Sequence, residues 1–339
     1  MGTPFYRLQT AVETVTLVLT LLAHGCPLQA IIAAFGCDER TVAAWQAKAG
    51  AHCQQVHEHL VRQGTLDLRH VQADELWVKM VGGRVWMALA LAVPSRLWLG
   101  GVVSPQRDGT LIRGLVALVR TCATGVGGVG TGLLVCVDGL ASYVTAFPRA
   151  FRVPLHTGRV RHPRLVLPES FLLGQAVKQD RQRRVVGVVH RVVRGTAAAI
   201  ATALMATHGG TVLNTASIER LNATFRQHLA PLVRRGRALA RTTTVLTAGR
   251  YLVGRAYNLC WEHHSLRQPA LPGARVKWRE RTPAMAAGLT DHRWTMGELL
   301  AYHVPLPAWV APMRRGRPPK CPLTLPRAPA PRTALEPAA

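Results

Sequence analysis

The chain has 339 residues, enough for two or three domains, and its hydrophobic content of 48% with a mean hydropathy of +0.12 excludes global disorder. Forty-two Lys and Arg against 17 Asp and Glu leave a net charge of +25, which argues against a small-molecule enzyme and for a phosphate-rich partner. Seven scattered cysteines with no CxxC pair exclude a disulfide frame, and no run of about 18 uncharged apolar residues is present to cross a bilayer. A cytoplasmic, nucleoid-associated protein with no membrane partner is expected. Residues 11–22 are apolar, but Glu13 and the absence of a small-residue cleavage pattern argue against a secretory signal. Arginine outnumbers lysine 37 to 5, which suits bidentate contacts to phosphate and guanine and equally suits a GC-rich genome.

Residues 11–23 predict a buried helix, broken by Gly25, Cys26 and Pro27. Leu28 to Phe35 predicts a second helix and Arg40 to Ala49 a third, with Asp38 as its cap. Val42, Trp45 and Ala49 form the inner stripe of the third helix, so Arg40, Thr41, Ala44 and Lys48 face outward. Helix, glycine turn, helix is the pattern of a helix-turn-helix, and Arg40, Thr41 and Lys48 are its candidate DNA contacts; a plain three-helix bundle is the alternative. A linking helix over His52 to Arg62 completes a front domain at 1–66.

Val71 to Val81, Val85 to Ala92 and Leu97 to Val103 then predict three antiparallel strands. A helix follows at Leu111 to Cys122 with Asp108 near its start, then a buried strand at Leu133 to Val137, a helix at 140–151 and a short strand at 152–156. That order is the order of a ribonuclease-H-like core within an α+β chain with a mixed sheet. The core would comprise residues 67–156 and 214–304, interrupted by an inserted basic subdomain at 157–213. Asn214-Thr215 caps a helix running to about His228 with Ile218, Leu221 and Phe225 inside. From Pro305 onward a Pro- and Arg-rich tail predicts disorder.

Acidic residues are scarce enough for elimination. Most fall in the front helices, loops or tail, leaving Asp74-Glu75 in the first strand, Asp138 at the tip of a buried strand and Glu219 on the capped helix. Carboxylates at the end of a buried strand are costly unless a cation joins them. Two Mg²⁺ ions, or Mn²⁺ in their place, would supply that charge and hold the attacking and leaving oxygens in line at one phosphorus. Alternation along a strand puts Asp74 with Gln72 and Leu76 on one face and Glu75 on the other, so the two acids are not expected to share one metal pair. Phase alone does not decide between them.

The segments QADELW (72–77), VCVDGLASY (135–143) and NTASIERLNATFRQHLAPLVRRGRALAR (214–241) resemble the three acidic motifs of bacterial insertion-sequence transposases of the D,D,E class, nearest the group built around insertion element one. The third motif is the most specific, since Glu219, Asn222 and Arg226 follow the family's Glu-Arg-x-Asn-x-x-x-Arg pattern. Tyr257-Asn258 to His264-Ser265-Leu266 also resembles the end of many such enzymes. The resemblance covers roughly residues 25–300. It implies Asp74, Asp138 and Glu219 as catalytic metal ligands, Asn222 and Arg226 beside DNA, and a homodimer or higher oligomer acting on transposon ends and target DNA. A non-catalytic DNA-binding relic or repressor and a junction nuclease on the same fold are the rivals.

Other signals weigh less. Gly125 to Gly130 match G-x-G-x-x-G but precede a strand, against a dinucleotide site. Cys260, His263 and His264, or Cys53 with His57, are half of a zinc site at most. Arg315-Gly316-Arg317-Pro318-Pro319-Lys320 resembles an AT-hook, with Arg315 and Arg317 set for a narrow minor groove, beside the simpler reading of a basic tail.

Overall fold

A computed structural model describes residues 2–305, except 64, 124–131, 156–163, 183, 234–238, 271 and 274, and these form one compact unit. Three front helices come first: α1 (Val12–Ala23), α2 (Leu28–Phe35) and α3 (Glu39–Leu60). Then follow β1 (His70–Met80), β2 (Gly83–Ala92), β3 (Leu97–Ser104), α4 (Gly109–Cys122), β4 (Leu133–Val137), α5 (Ala141–Ala150), β5 (Val153–Leu155), β6 (Arg164–Val166), β7 (Phe171–Arg181) and β8 (Arg184–Arg194). The chain continues through α6 (Ala197–Ala206), α7 (Ala216–His228), α8 (Thr243–Arg255), β9 (Gln268–Pro269), β10 (Trp278–Arg279), α9 (Pro283–Ala286) and α10 (Met296–Ala301). The architecture is mixed α+β, with ten α-helices among the described residues around a six-stranded mixed sheet.

The sheet runs β3-β2-β1-β4-β7-β8, with β1, β4 and β7 mutually parallel and every other pairing antiparallel. Gly82, at φ 82°, makes the tight β1–β2 turn that a side chain would resist. β4 is apolar at all five positions and buried at all five, as a central parallel strand requires. Asp108 caps α4 as expected, its carboxylate accepting from the N–H groups of Thr110 and Leu111.

Two expectations are corrected. The strand at 152–156 does not join the core: β5 pairs only with β6 in a separate two-stranded ribbon. The place beside β4 is taken by β7, and its hairpin partner β8 closes that edge. Residues 171–194, expected inside an inserted subdomain, are therefore part of the main sheet. The sequence signal was the largely apolar stretch Phe171 to Val177, which marks a buried strand, masked by the arginines around it.

The front helices are not a detached domain either. α3 is one 22-residue helix rather than two, because its buried stripe Val42, Trp45, Ala49, Cys53 and Val56 keeps helical spacing without a proline. It packs along α8 at Gly50, where an added Cβ would lie 2.5 Å from the Cα of Ala248. Gly254 of α8 in turn lies flat against the fully buried Trp98 ring of β3. Arg40, Thr41, Ala44 and Lys48 are exposed, as their phase predicts. No helix among the described residues is long and apolar enough to cross a membrane.

Candidate metal centre

The centre forms where β4 ends and its neighbours continue. β1 pairs with β4 only as far as Ala73↔Val137, so Asp74 and Asp138 are the next residues on two adjacent parallel strands. Ligand oxygens of Asp74, Glu75 and Asp138 all lie within 4.8 Å of one another. Here the strand-face expectation fails in part. Asp74 and Glu75 do leave opposite faces, but past the end of β4 no strand separates them, so both reach Asp138.

Each acid is held by a different layer. On one face, α7 presents Asn222, whose amide donates to Asp74 Oδ2 at 2.8 Å; Asp74 Oδ1 accepts from the Glu75 N–H. On the other face, Glu75 accepts from Tyr143 of α5 at 2.8 Å and from Arg107 Nε at 2.7 Å, with a second Arg107 nitrogen bonding the same oxygen. Arg107 also reaches Asp138 Oδ2 at 3.4 Å. The backbone of Asp138 is pinned by Gln175 of β7, which donates to its carbonyl at 2.9 Å.

Glu219 comes in on α7, whose inner stripe Ile218, Leu221 and Phe225 is buried as the spacing predicts. Gln72, fully buried one strand pleat before Asp74, docks that helix: it accepts from the Ile218 N–H at 3.0 Å and donates to the Asn214 carbonyl at 2.9 Å. Of the Asn214-Thr215 pair expected to cap the helix, the Asn214 side chain accepts from the Ala216 N–H, and the Thr215 hydroxyl goes to Glu219 at 2.8 Å. Lys178 of β7 bonds the same Glu219 oxygen at 2.6 Å. Asp74, Asp138 and Glu219 line one cleft of about 210 Å³ together with Lys178 and Thr215.

The electrostatics are uneven across this cleft. Burial, then Glu75, Asp138 and Glu219, push Asp74 up to about 7 despite the Glu75 N–H. Burial and Asp138 raise Glu75 as well, against Tyr143 and Arg107. Glu219 goes the other way: burial would raise it, but the bonds from Lys178 and Thr215 outweigh that and lower it.

The donor set fits a divalent cation. All the groups are hard carboxylate oxygens, and Arg107 is committed chiefly to Glu75, so the repulsion between Asp74 and Asp138 is left for an ion to relieve. Asp74, Glu75 and Asp138 are the carboxylates close enough together to hold it, while Glu219 lines the same cleft with its carboxylate bonded to Lys178 and Thr215. No zinc-type cluster of Cys and His forms among the described residues, and Cys53 and Cys260 are buried free thiols pushed up to about 12 by burial.

Of the residues expected at the site, Asp74, Asp138, Glu219 and Asn222 converge. Arg226 lies a turn further along the same helix, half-buried. Arg40, Thr41 and Lys48 lie on α3, apart from the cleft, and Arg315 and Arg317 fall outside the described residues. Glu75's link to the cluster through Arg107 and Tyr143, and the roles of Lys178, Gln72 and Gln175, were missed. Of these, Gln72, Glu75 and Tyr143 stood within quoted motifs, whereas Arg107, Lys178 and Gln175 did not. Comparison with protein-family models finds no match, and comparison with curated protein sequences finds none.

Proposed function

We propose that this chain is a DNA transposase of the D,D,E type, cleaving transposon ends and joining them to target DNA on a ribonuclease-H-like core. The observation that carries the proposal is the meeting of Asp74, Asp138 and Glu219, from β1, the end of β4 and α7, in one cleft of a protein with net charge +25. The sheet order, with three antiparallel strands followed by parallel β4 and β7, supports the core; α2 and α3 would serve as the helix-turn-helix.

Divalent ions bound there would supply Lewis-acid charge at the scissile phosphorus and lower the pKa of water or a 3′-hydroxyl. The chain's own residues do the positioning. Gln72 fixes the first turn of α7, and with it Glu219. Asn222 orients Asp74, and Gln175 holds the Asp138 backbone. Arg107 and Tyr143 hold the Glu75 carboxylate in place beside Asp138. Lys178 keeps Glu219 ionised and offers a cation to an incoming phosphate. Bringing two ends together calls for a dimer or larger assembly.

The test is a strand-transfer assay with Mg²⁺ and a labelled duplex carrying the inverted repeats that flank the gene. Joined products with the native chain, and none with Asp138→Asn, are expected. Cleavage without joining would identify a junction nuclease. Binding without metal-dependent cleavage would identify a relic or repressor.

A further inference from the structure

On the other flank of α7 lies a second, larger cavity of about 360 Å³. At 3.6 residues per turn, Ser217, Arg220 and Thr224 fall on one side of the helix's buried stripe, and Glu219, Asn222 and Arg226 on the other. The cavity's remaining walls come from the β2–β3 turn, through Arg96, and from the chain after α8, through Tyr257, Trp261, Glu262, His263 and Ser265.

Its chemistry is distinctive in three ways. Arg96 is held in the left-handed region at φ 56°, which favours glycine and strains an arginine. The strain is kept because the residue is anchored at both ends: its carbonyl accepts from Tyr257 Oη at 3.0 Å, and its guanidinium donates to Ser217 Oγ. Second, Arg220 joins Arg96 with no carboxylate between them. The one acid in the lining, Glu262, is ion-paired with Arg293. Burial and then these two arginines hold His263 below its ordinary range, as an unrelieved positive field would. Third, the cations adjoin half-buried aromatic rings, Trp261 and His263.

Two guanidiniums ask for an anion, and beside them the partly exposed rings of His263 and of Trp261, which packs on His24 and His228, offer an apolar wall. A free phosphate would use only the guanidiniums. A nucleotide uses both, and the volume falls within the range of small-molecule pockets. We propose that this cavity receives one unpaired nucleotide of a DNA strand, its phosphate on Arg96 and Arg220 and its base against Trp261 and His263. The proposal rests on the DNA-acting reading above. It adds a single-strand subsite on the back of the catalytic helix, so that occupancy there and the placement of Glu219 share one element.

The test uses the full chain and a fluorescein-labelled 12-nucleotide single strand, beside its blunt duplex, read by anisotropy. Arg220→Ala, at an exposed position, should weaken single-strand binding about tenfold or more while duplex binding falls no further than for the exposed control Arg279→Ala. Ala216→Trp fills the cavity mouth without removing charge and should give the same selective loss. A 2-aminopurine base in the strand should be quenched by the native chain and less so by Trp261→Leu. Equal loss on strand and duplex, or single-strand binding that survives Ala216→Trp, would overturn the subsite. So would competition by inorganic phosphate as effective as by dAMP, since the rings would then have no part. If duplex binding is intact and the single strand is indifferent to all these variants, the subsite alone fails. If the native chain binds neither form of DNA, the DNA-acting reading falls with it.

Discussion

Asp74→Asn should make the metal-free protein more stable at pH 8 and leave much less of that gain at pH 5. In the native chain, burial and three neighbouring carboxylates raise Asp74 from 3.8 to about 7. A raised acid pKa means the folded state holds the proton more tightly than the unfolded chain. Stability is then full below the unfolded pKa and is lost as pH rises from there through the folded value. A shift of about three units corresponds to roughly 4 kcal/mol lost by pH 8, of which somewhat under 2 kcal/mol is already lost at pH 5. Asparagine carries no charge to desolvate, so it escapes this loss. It gives up one contact, because Asp74 accepts from both Asn222 and the Glu75 N–H while an amide has a single acceptor oxygen. That offsets about 1 kcal/mol. The net gain should be roughly 3 kcal/mol at pH 8 and under 1 kcal/mol at pH 5. Urea unfolding in EDTA at both pH values measures it, and Mg²⁺ added at pH 8 should stabilise the native chain far more than the variant. An Asn variant that is less stable than native at pH 8, or whose gain is the same at both pH values, would refute the account of an uncompensated carboxylate cluster.

Asp74→Asn, Asp138→Asn and Glu219→Gln should each reduce metal-dependent cleavage and joining by 100-fold or more with duplex binding retained, whereas Glu75→Gln should keep measurable activity. Activity surviving in all three of the first set would remove the mechanism. Duplex affinity should fall linearly with salt on a log–log plot, and Arg40→Ala, Thr41→Ala or Lys48→Ala should erode preference for the element's own ends more than general binding; unchanged preference would take α3 out of recognition. Gly50→Ala should destabilise the protein by about 1–3 kcal/mol in thermal melts, since its Cβ would meet the Ala248 backbone at 2.5 Å and force α3 from α8. Deleting residues 312–339 should leave cleavage of pre-cut ends intact and weaken A·T-rich binding more than G·C-rich; equal weakening would mark the tail as a general phosphate binder.

Local pattern carried much of the fold. Alternation and turn residues placed β1, β2 and β3 within a residue or two, and the stripe Ile218, Leu221 and Phe225 placed α7, because those elements declare their buried face in a short window. Scarcity of acid did the same for the site: with 17 Asp and Glu in the chain, the few standing at strand ends and on a capped helix could be singled out without knowing where they meet.

What only the tertiary structure decided was partnership. That β7 rather than β5 lies beside β4 depends on hydrogen bonds between segments some 40 residues apart, and neither strand carries a mark of its neighbour. Lys178 therefore reads in the sequence as one more cation in a basic run, and in the fold as the partner of Glu219. Glu75 belongs to the cluster for a similar reason. Strand phase sets which face a side chain leaves from, but β4 stops at Val137, and beyond that point a carboxylate from either face reaches the same space. The position of a neighbouring strand's end is a property of the assembled sheet, so no periodicity within β1 could have disclosed it.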